Sequence, residues 1–177
     1  MPNAAGQLNG KDVTLADMWI ELPYLWIAVI NTLGITAAHF LLAWGCTQLP
    51  QCWFRKDEEA RDSDHRFQRW LYERVFLVKR WKKRLPDAAP WFKGFPKSSM
   101  QSSEPDYLRT FIAETRRGEL SHWLQIPAIS AFIIWTPWPG NLIIIIYAFL
   151  SNLPCIINLR HTRQRMSRLL FRLTRSP

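Results

Sequence analysis

The sequence predicts an all-α membrane protein, with about three transmembrane helices and a basic amphipathic interfacial helix between the first and the second. Three observations carry that expectation. Long apolar stretches flank a strongly basic middle, and a basic tail follows them. The near-neutral mean hydropathy of −0.14 is therefore an average over sharply different blocks. Tryptophans, ten in all, stand at several block edges, where an amphipathic ring suits a water–lipid boundary. At 177 residues the chain is one domain's worth, read as a single membrane-embedded unit over 1–177.

Residues 1–17 are polar and read as a loose N-terminus. The first apolar block, 22–49, exceeds the roughly 20 residues a spanning helix needs. Asp12, Asp17 and Glu21 in front of it, against Lys11, make it a poor signal peptide. Trp19 and Trp26 at one end, with Trp44 and Trp53 at the other, fit two interfacial belts. Asn31 and His39 lie inside this span, eight residues apart and so on one face that looks inward. Pro50 ends the helix.

A cytoplasmic and interfacial segment is expected over 55–117. Within it Phe67, Leu71, Val75, Val78 and Trp81 recur at helical spacing between arginines and lysines. Such a basic amphipathic helix suits an anionic membrane surface, or packs on its own protein with a solvated basic face. Residues 86–106, rich in Pro, Gly and Ser, read as a loop. Asp106 is the expected N-cap of the next helix.

From Trp123 to Ile157 the chain is apolar except at Thr136-Pro137-Trp138-Pro139-Gly140-Asn141, which cannot continue a helix. The expectation is a helical hairpin over 120–157, with arms of about 120–135 and 142–157. The tail, 158–177, carries Arg160, Arg163, Arg165, Arg168, Arg172 and Arg175. Lys and Arg gather in the centre and the tail, so the positive-inside rule predicts a multi-pass protein of the cell membrane with the N-terminus outside and the C-terminus cytoplasmic.

The net charge of +9 suits nucleic acid, anionic lipid headgroups or a phosphate-bearing substrate. No nucleic-acid module is recognisable, and the adjoining apolar blocks favour the lipid bilayer. Cys46, Cys52 and Cys155 form neither a metal box nor a disulfide framework. No cofactor or metal is called for.

The chemistry gathers at Glu114-Thr115-Arg116-Arg117-Gly118-Glu119-Leu120-Ser121-His122-Trp123, immediately before the hairpin. Glu119 and His122 are three apart, and Glu114, Gly118 and His122 follow one another at four, so these groups are expected on one helical face at the bilayer entrance. Ionisable groups at that depth are costly unless paired or useful. The structural reading of the same residues is a salt-bridged helix end.

Three segments together resemble a known family. They are Val78-Lys79-Arg80-Trp81-Lys82 with Pro86-Asp87, the run 114–123, and Asn152-Leu153-Pro154 followed by Arg160, Arg163 and Arg165. They are similar to the glycosyl-diaponeurosporenoate acyltransferases, which finish staphyloxanthin-type carotenoids. The order is the same over most of the chain. The tail departs: the family's Gln-Arg-Tyr-Asn-Arg-Pro-Arg is here Leu159-Arg160-His161-Thr162-Arg163-Gln164-Arg165, which keeps the arginines and loses the amides and the tyrosine.

The resemblance implies transfer of a fatty acyl group, from a thioester or lipid donor, to a sugar hydroxyl of a glycosylated lipid-like acceptor, a carotenoid glycoside. Such a reaction needs a base, donors for the oxyanion and an apolar slot for the chain. His122 is the expected base, because histidine titrates near neutrality. Glu119 or Glu114 would orient it. Arg117 would face the oxyanion or a donor phosphate, and Arg160, Arg163 and Arg165 would hold the donor's phosphates. Trp123 and Trp81, inside the resembling runs, are counted with the substrate-binding residues. His39 is the second candidate base, although a helix–helix hydrogen bond explains it as well. No His-x-x-x-x-Asp box or Gly-x-Ser-x-Gly elbow is present. The competing function is that of a non-catalytic accessory or scaffold membrane protein.

Overall fold

Pro23 and Pro50 bracket the first helix, α1, Tyr24–Gln48, in a computed structural model that describes residues 23–55, 70, 72, 74, 78 and 101–175. A short 3-10 turn, Gln51–Phe54, follows it. Helix α2 spans Pro105–Ser130 and runs into a second 3-10 turn, Ala131–Ile134. Helix α3 spans Gly140–Arg175. Among the described residues the architecture is all helical, with no strand.

The start of α2 differs from the expected Asp106 cap. Glu104, in extended backbone, occupies the N-cap, and Pro105 opens the helix. Proline has its φ pre-set and no N–H to lose at that position, so the boundary moves ahead of it. Asp106 falls in the first turn, where it faces the positive helix end and pairs with Arg109 at 2.8 Å. The hairpin turn lies where expected, but its arms belong to longer helices. One arm is the second half of α2, and the other continues through Pro154 into the arginine tail without a break.

Helices α2 and α3 run antiparallel. At one end Leu108, Phe111 and Ile112 meet Met166 and Leu170. At the other, Ile129 meets Ile144 and Ala148, and Ile35 of α1 joins them with Phe132 and Ile133. Helix α1 comes close here because Gly34 has no side chain: a Cβ at that position would overlap the Phe132 ring. The polar belt that holds the candidate site lies between these two apolar clusters.

Helix α1 is mostly apolar apart from the Asn31 and His39 face and a few threonines, and of its residues only Ile27 and Cys46 are buried. Leu25, Leu33, Leu41 and Trp44 stand exposed, as do Ile143, Leu150 and Trp138 of the hairpin. Helices α1 and α3 are long and apolar enough to cross a membrane. At about 1.5 Å per residue α3 measures roughly 54 Å, well beyond the ~30 Å of a hydrocarbon core.

Most of the expected amphipathic helix, Trp81 included, lies outside the described residues. Of its residues that are described, Val78 is fully buried and Trp70 is exposed. Tyr72 is buried and sets its ring edge-on to His161 of α3.

Candidate active site

The ionisable cluster on α2 is divided between two neighbours. Glu114, Arg117, Ser121 and Gln125, spaced at three and four residues, address α1 and the turn after it. Glu119, His122 and Ile129 address α3.

On the α1 side, Glu114 is buried, pairs with Arg117 at 2.8 Å and accepts a hydrogen bond from Gln51 Nε2 at 3.4 Å. Arg117 Nη1 reaches the carbonyl of Leu49, the C-cap of α1, at 3.4 Å. Arg116 Nη1 reaches the carbonyl of Phe54 at 2.8 Å. Carbonyls at a helix end lack intrahelical donors and carry the negative end of the dipole, so cations belong there. The sequence predicts Arg117 at an oxyanion or a phosphate. It serves here as a clamp between α1 and α2.

His39 takes the hydrogen-bonding role weighed for it. Its Nδ1 lies 2.8 Å from Gln125 Oε1, and its Nε2 lies 3.2 Å from the Tyr147 hydroxyl. Gln125 Nε2 donates to Ser121 Oγ at 3.2 Å and to the His39 carbonyl at 3.4 Å, which turns Oε1 toward the ring. Nδ1 is then the donor and Nε2 accepts from tyrosine. Both nitrogens are engaged in tying three helices together. Asn31, on the same face, accepts from Trp135 Nε1 and donates to Thr136 Oγ1, each at 3.0 Å.

On the α3 side, Glu119 is the hub. Arg160 Nε reaches its Oε1 at 2.5 Å and Arg163 Nη1 its Oε2 at 2.7 Å, and Trp123 Nε1 donates to Oε1 at 3.3 Å. Arg160 also lies 5.9 Å from the centroid of the exposed Trp123 ring, in cation–π range. Burial works to raise the Glu119 carboxyl, but the hydrogen bonds and charges of Arg163 and Arg160 outweigh it and hold the group below the usual carboxylate range. Two guanidiniums on one carboxylate leave a net positive charge, and the Arg160 side chain is 43% exposed. Arg165 is exposed and points away, because two residues turn a helix by about 200° from Arg163.

One turn deeper, His122 meets Asn152. Its Nδ1 lies 2.9 Å from Asn152 Oδ1, and Asn152 is fully buried. The expected carboxylate–imidazole pairing of Glu119 with His122 is thus replaced by an amide–imidazole pairing, while Glu119 answers the arginines. No group of three or more His, Cys, Asp or Glu residues converges among the described residues.

Asn152 lies within a resembling run, and the sequence assigns it no part in the chemistry. A signal existed: an amide inside an apolar run must find a partner. His122 and Asn152 also stand fifteen residues either side of Pro137, and Leu108 and Met166 twenty-nine. Folding the sequence antiparallel about that turn pairs them.

Comparison with known proteins agrees with the resemblance read from the sequence. The family model for glycosyl-4,4'-diaponeurosporenoate acyltransferase matches residues 50–172. A protein of that name from Staphylococcus aureus (strain bovine RF122 / ET3-1) is 30% identical over 103 residues, which is 56% of this chain and 61% of the relative. Its namesake from Staphylococcus haemolyticus (strain JCSC1435) is 31% identical over 97 residues, 54% of this chain and 56% of the relative. The chain thus spans somewhat under two thirds of the length of the relatives it matches. No solved structure matches.

Proposed function

The chain belongs to the glycosyl-4,4'-diaponeurosporenoate acyltransferase family, and from that premise we propose that it is a membrane acyltransferase. It esterifies a sugar hydroxyl of a glycosylated lipid-like acceptor, a carotenoid glycoside, with a fatty acyl group. The observation that carries the reading is the juxtaposition, on one side of α2, of an imidazole and an arginine pair with net positive charge.

In this scheme His122 takes the proton of the sugar hydroxyl as the oxygen attacks the acyl carbonyl carbon. The C–O bond forms, the bond to the donor's leaving group breaks, and the proton passes from His122 to that leaving group. Arg160 and Arg163, backed by Trp123, attract the donor's anionic end. Glu119 pre-positions the two guanidiniums, and Glu114 with Arg117 fixes α2 against α1.

The scheme has the protein crossing the membrane three times, with its N-terminus and the hairpin turn outside and the arginine end of α3 in the cytoplasm. The Asn31 bonds to Trp135 and Thr136 support it, since they put the early part of α1 beside the hairpin turn. The Arg117 bond to Leu49 puts the end of α1 beside the charged part of α2. Anionic headgroups would then face the basic end.

Mass spectrometry of lipid extracts from cells with and without the protein tests the reaction. The expected result is a species heavier by one fatty acyl residue, reproduced by the purified protein in nanodiscs with a labelled acyl donor. Correctly inserted protein that yields no labelled lipid leaves the accessory or scaffold role instead.

A further inference from the structure

We infer that Asn152 is a positioning residue that sets the tautomer of His122, placing the proton on Nδ1 and making Nε2 the basic nitrogen. The inference rests on the reading of His122 as the base and adds a residue to which no role has been assigned.

The argument is one of hydrogen-bond inventory. The Asn152 side chain has one acceptor, Oδ1, and one donor group, Nδ2. Nδ2 lies 2.9 Å from the Ala148 carbonyl and 3.1 Å from Ser151 Oγ. A carbonyl oxygen can only accept. Ser151 commits its own proton to the Tyr147 carbonyl at 2.7 Å, so toward Asn152 it too accepts. The amide is therefore locked: flipping it would set Oδ1 against the Ala148 oxygen, two acceptors at hydrogen-bond distance in a site with 0% exposure. Oδ1 must face the imidazole 2.9 Å away, and only a protonated Nδ1 can answer it.

Free imidazole favours the opposite tautomer, with the proton on Nε2. A base in that form presents an N–H where it should present a lone pair. Asn152 thus performs for His122 the orienting task that a carboxylate performs in a triad, from a buried amide that brings no charge into the apolar half of the helix pair. The device is preassembled: its anchor is the backbone of α3 itself, and Ala148, also fully buried, lies one turn away in the α2–α3 contact.

The test is nitrogen NMR of the full-length protein with labelled histidine, in nanodiscs, above the pH at which the imidazoles are charged. Four histidines are present, and His122→Gln identifies the His122 signals by their loss. The expected wild-type spectrum shows Nδ1 protonated and Nε2 unprotonated. In Asn152→Leu the proton moves to Nε2, and kcat for acyl transfer falls at least ~10-fold with KM less affected. Asn152→Asp, which retains an acceptor, keeps the Nδ1 proton and recovers part of that loss. A wild-type His122 protonated on Nε2, or an Asn152→Leu spectrum unchanged from wild type, overturns the inference. The wild-type and Asn152→Asp spectra decide it even where Asn152→Leu does not fold. Wild-type protein that shows the expected spectrum but transfers no acyl group removes the acyltransferase reading and leaves the tautomer assignment standing.

Discussion

Arg163 Nη1 lies 2.7 Å from Glu119 Oε2, joining α2 to α3 where the helix pair passes from apolar to charged. With Arg160 on the other oxygen, the carboxylate holds two cations in place.

Because those cations depress the Glu119 pKa, its contribution to stability has a definite sign with pH. It is fully present above the ordinary carboxylate range of about 4 and disappears as pH falls through the lower value held in the folded state. Glu119→Gln is expected to cost roughly 1–3 kcal/mol near neutrality, between the costs for exposed and buried pairs. Chemical unfolding in detergent should show that gap between wild type and variant closing on acidification. A gap that stays constant down to the wild type's acid limit would mean that the carboxylate charge contributes nothing.

His122 and His39 should fail in different ways. His122→Gln is expected to lower turnover by roughly 100-fold or more while leaving the amount of inserted protein unchanged. His39→Gln breaks a bond between helices, worth about 0.6–2 kcal/mol in a membrane setting, and should lower stability more than activity per inserted molecule. Acyl transfer normalised to inserted protein separates them. The reverse pattern would make His39 the base.

Arginines a few residues apart should differ sharply. Arg160→Ala removes the exposed member of the Glu119 pair and should raise KM for the acyl donor about tenfold, the effect of roughly 1.4 kcal/mol of lost binding. Arg165→Ala, on the far side of the helix, should leave donor KM within twofold. Equal effects would mean that the tail acts as undifferentiated positive charge.

Sidedness can be read with single cysteines, after Cys46, Cys52 and Cys155 are replaced. Trp138→Cys, in the exposed hairpin turn, should react with a membrane-impermeant maleimide added to intact cells. Arg55→Cys, just after the 3-10 turn, should react only after permeabilisation. The opposite pattern inverts the topology.

The sequence alone determined the helical class, the apolar blocks, the hairpin turn and the family, because each is written in local composition, in the chain-breaking cluster at 136–141 or in short runs of residue types. It also marked His122, Glu119 and Arg160 as the residues to watch. Tertiary structure decided which of them meet. Helical spacing puts Glu119 and His122 on neighbouring parts of α2, yet side chains at such spacing diverge to different partners once two other helices are present. Glu119 faces two long arginines of α3 that carry opposite charge. His122 lies one turn nearer the hairpin, opposite a buried amide, and Glu114 turns to the end of α1. Partner choice depends on the register between α2 and α3 and on where α1 docks. The turn at Pro137 fixes the register, while the second depends on Gly34 admitting Phe132 and on arginines finding the carbonyls at the end of α1, contacts about a hundred and about seventy residues apart in the chain.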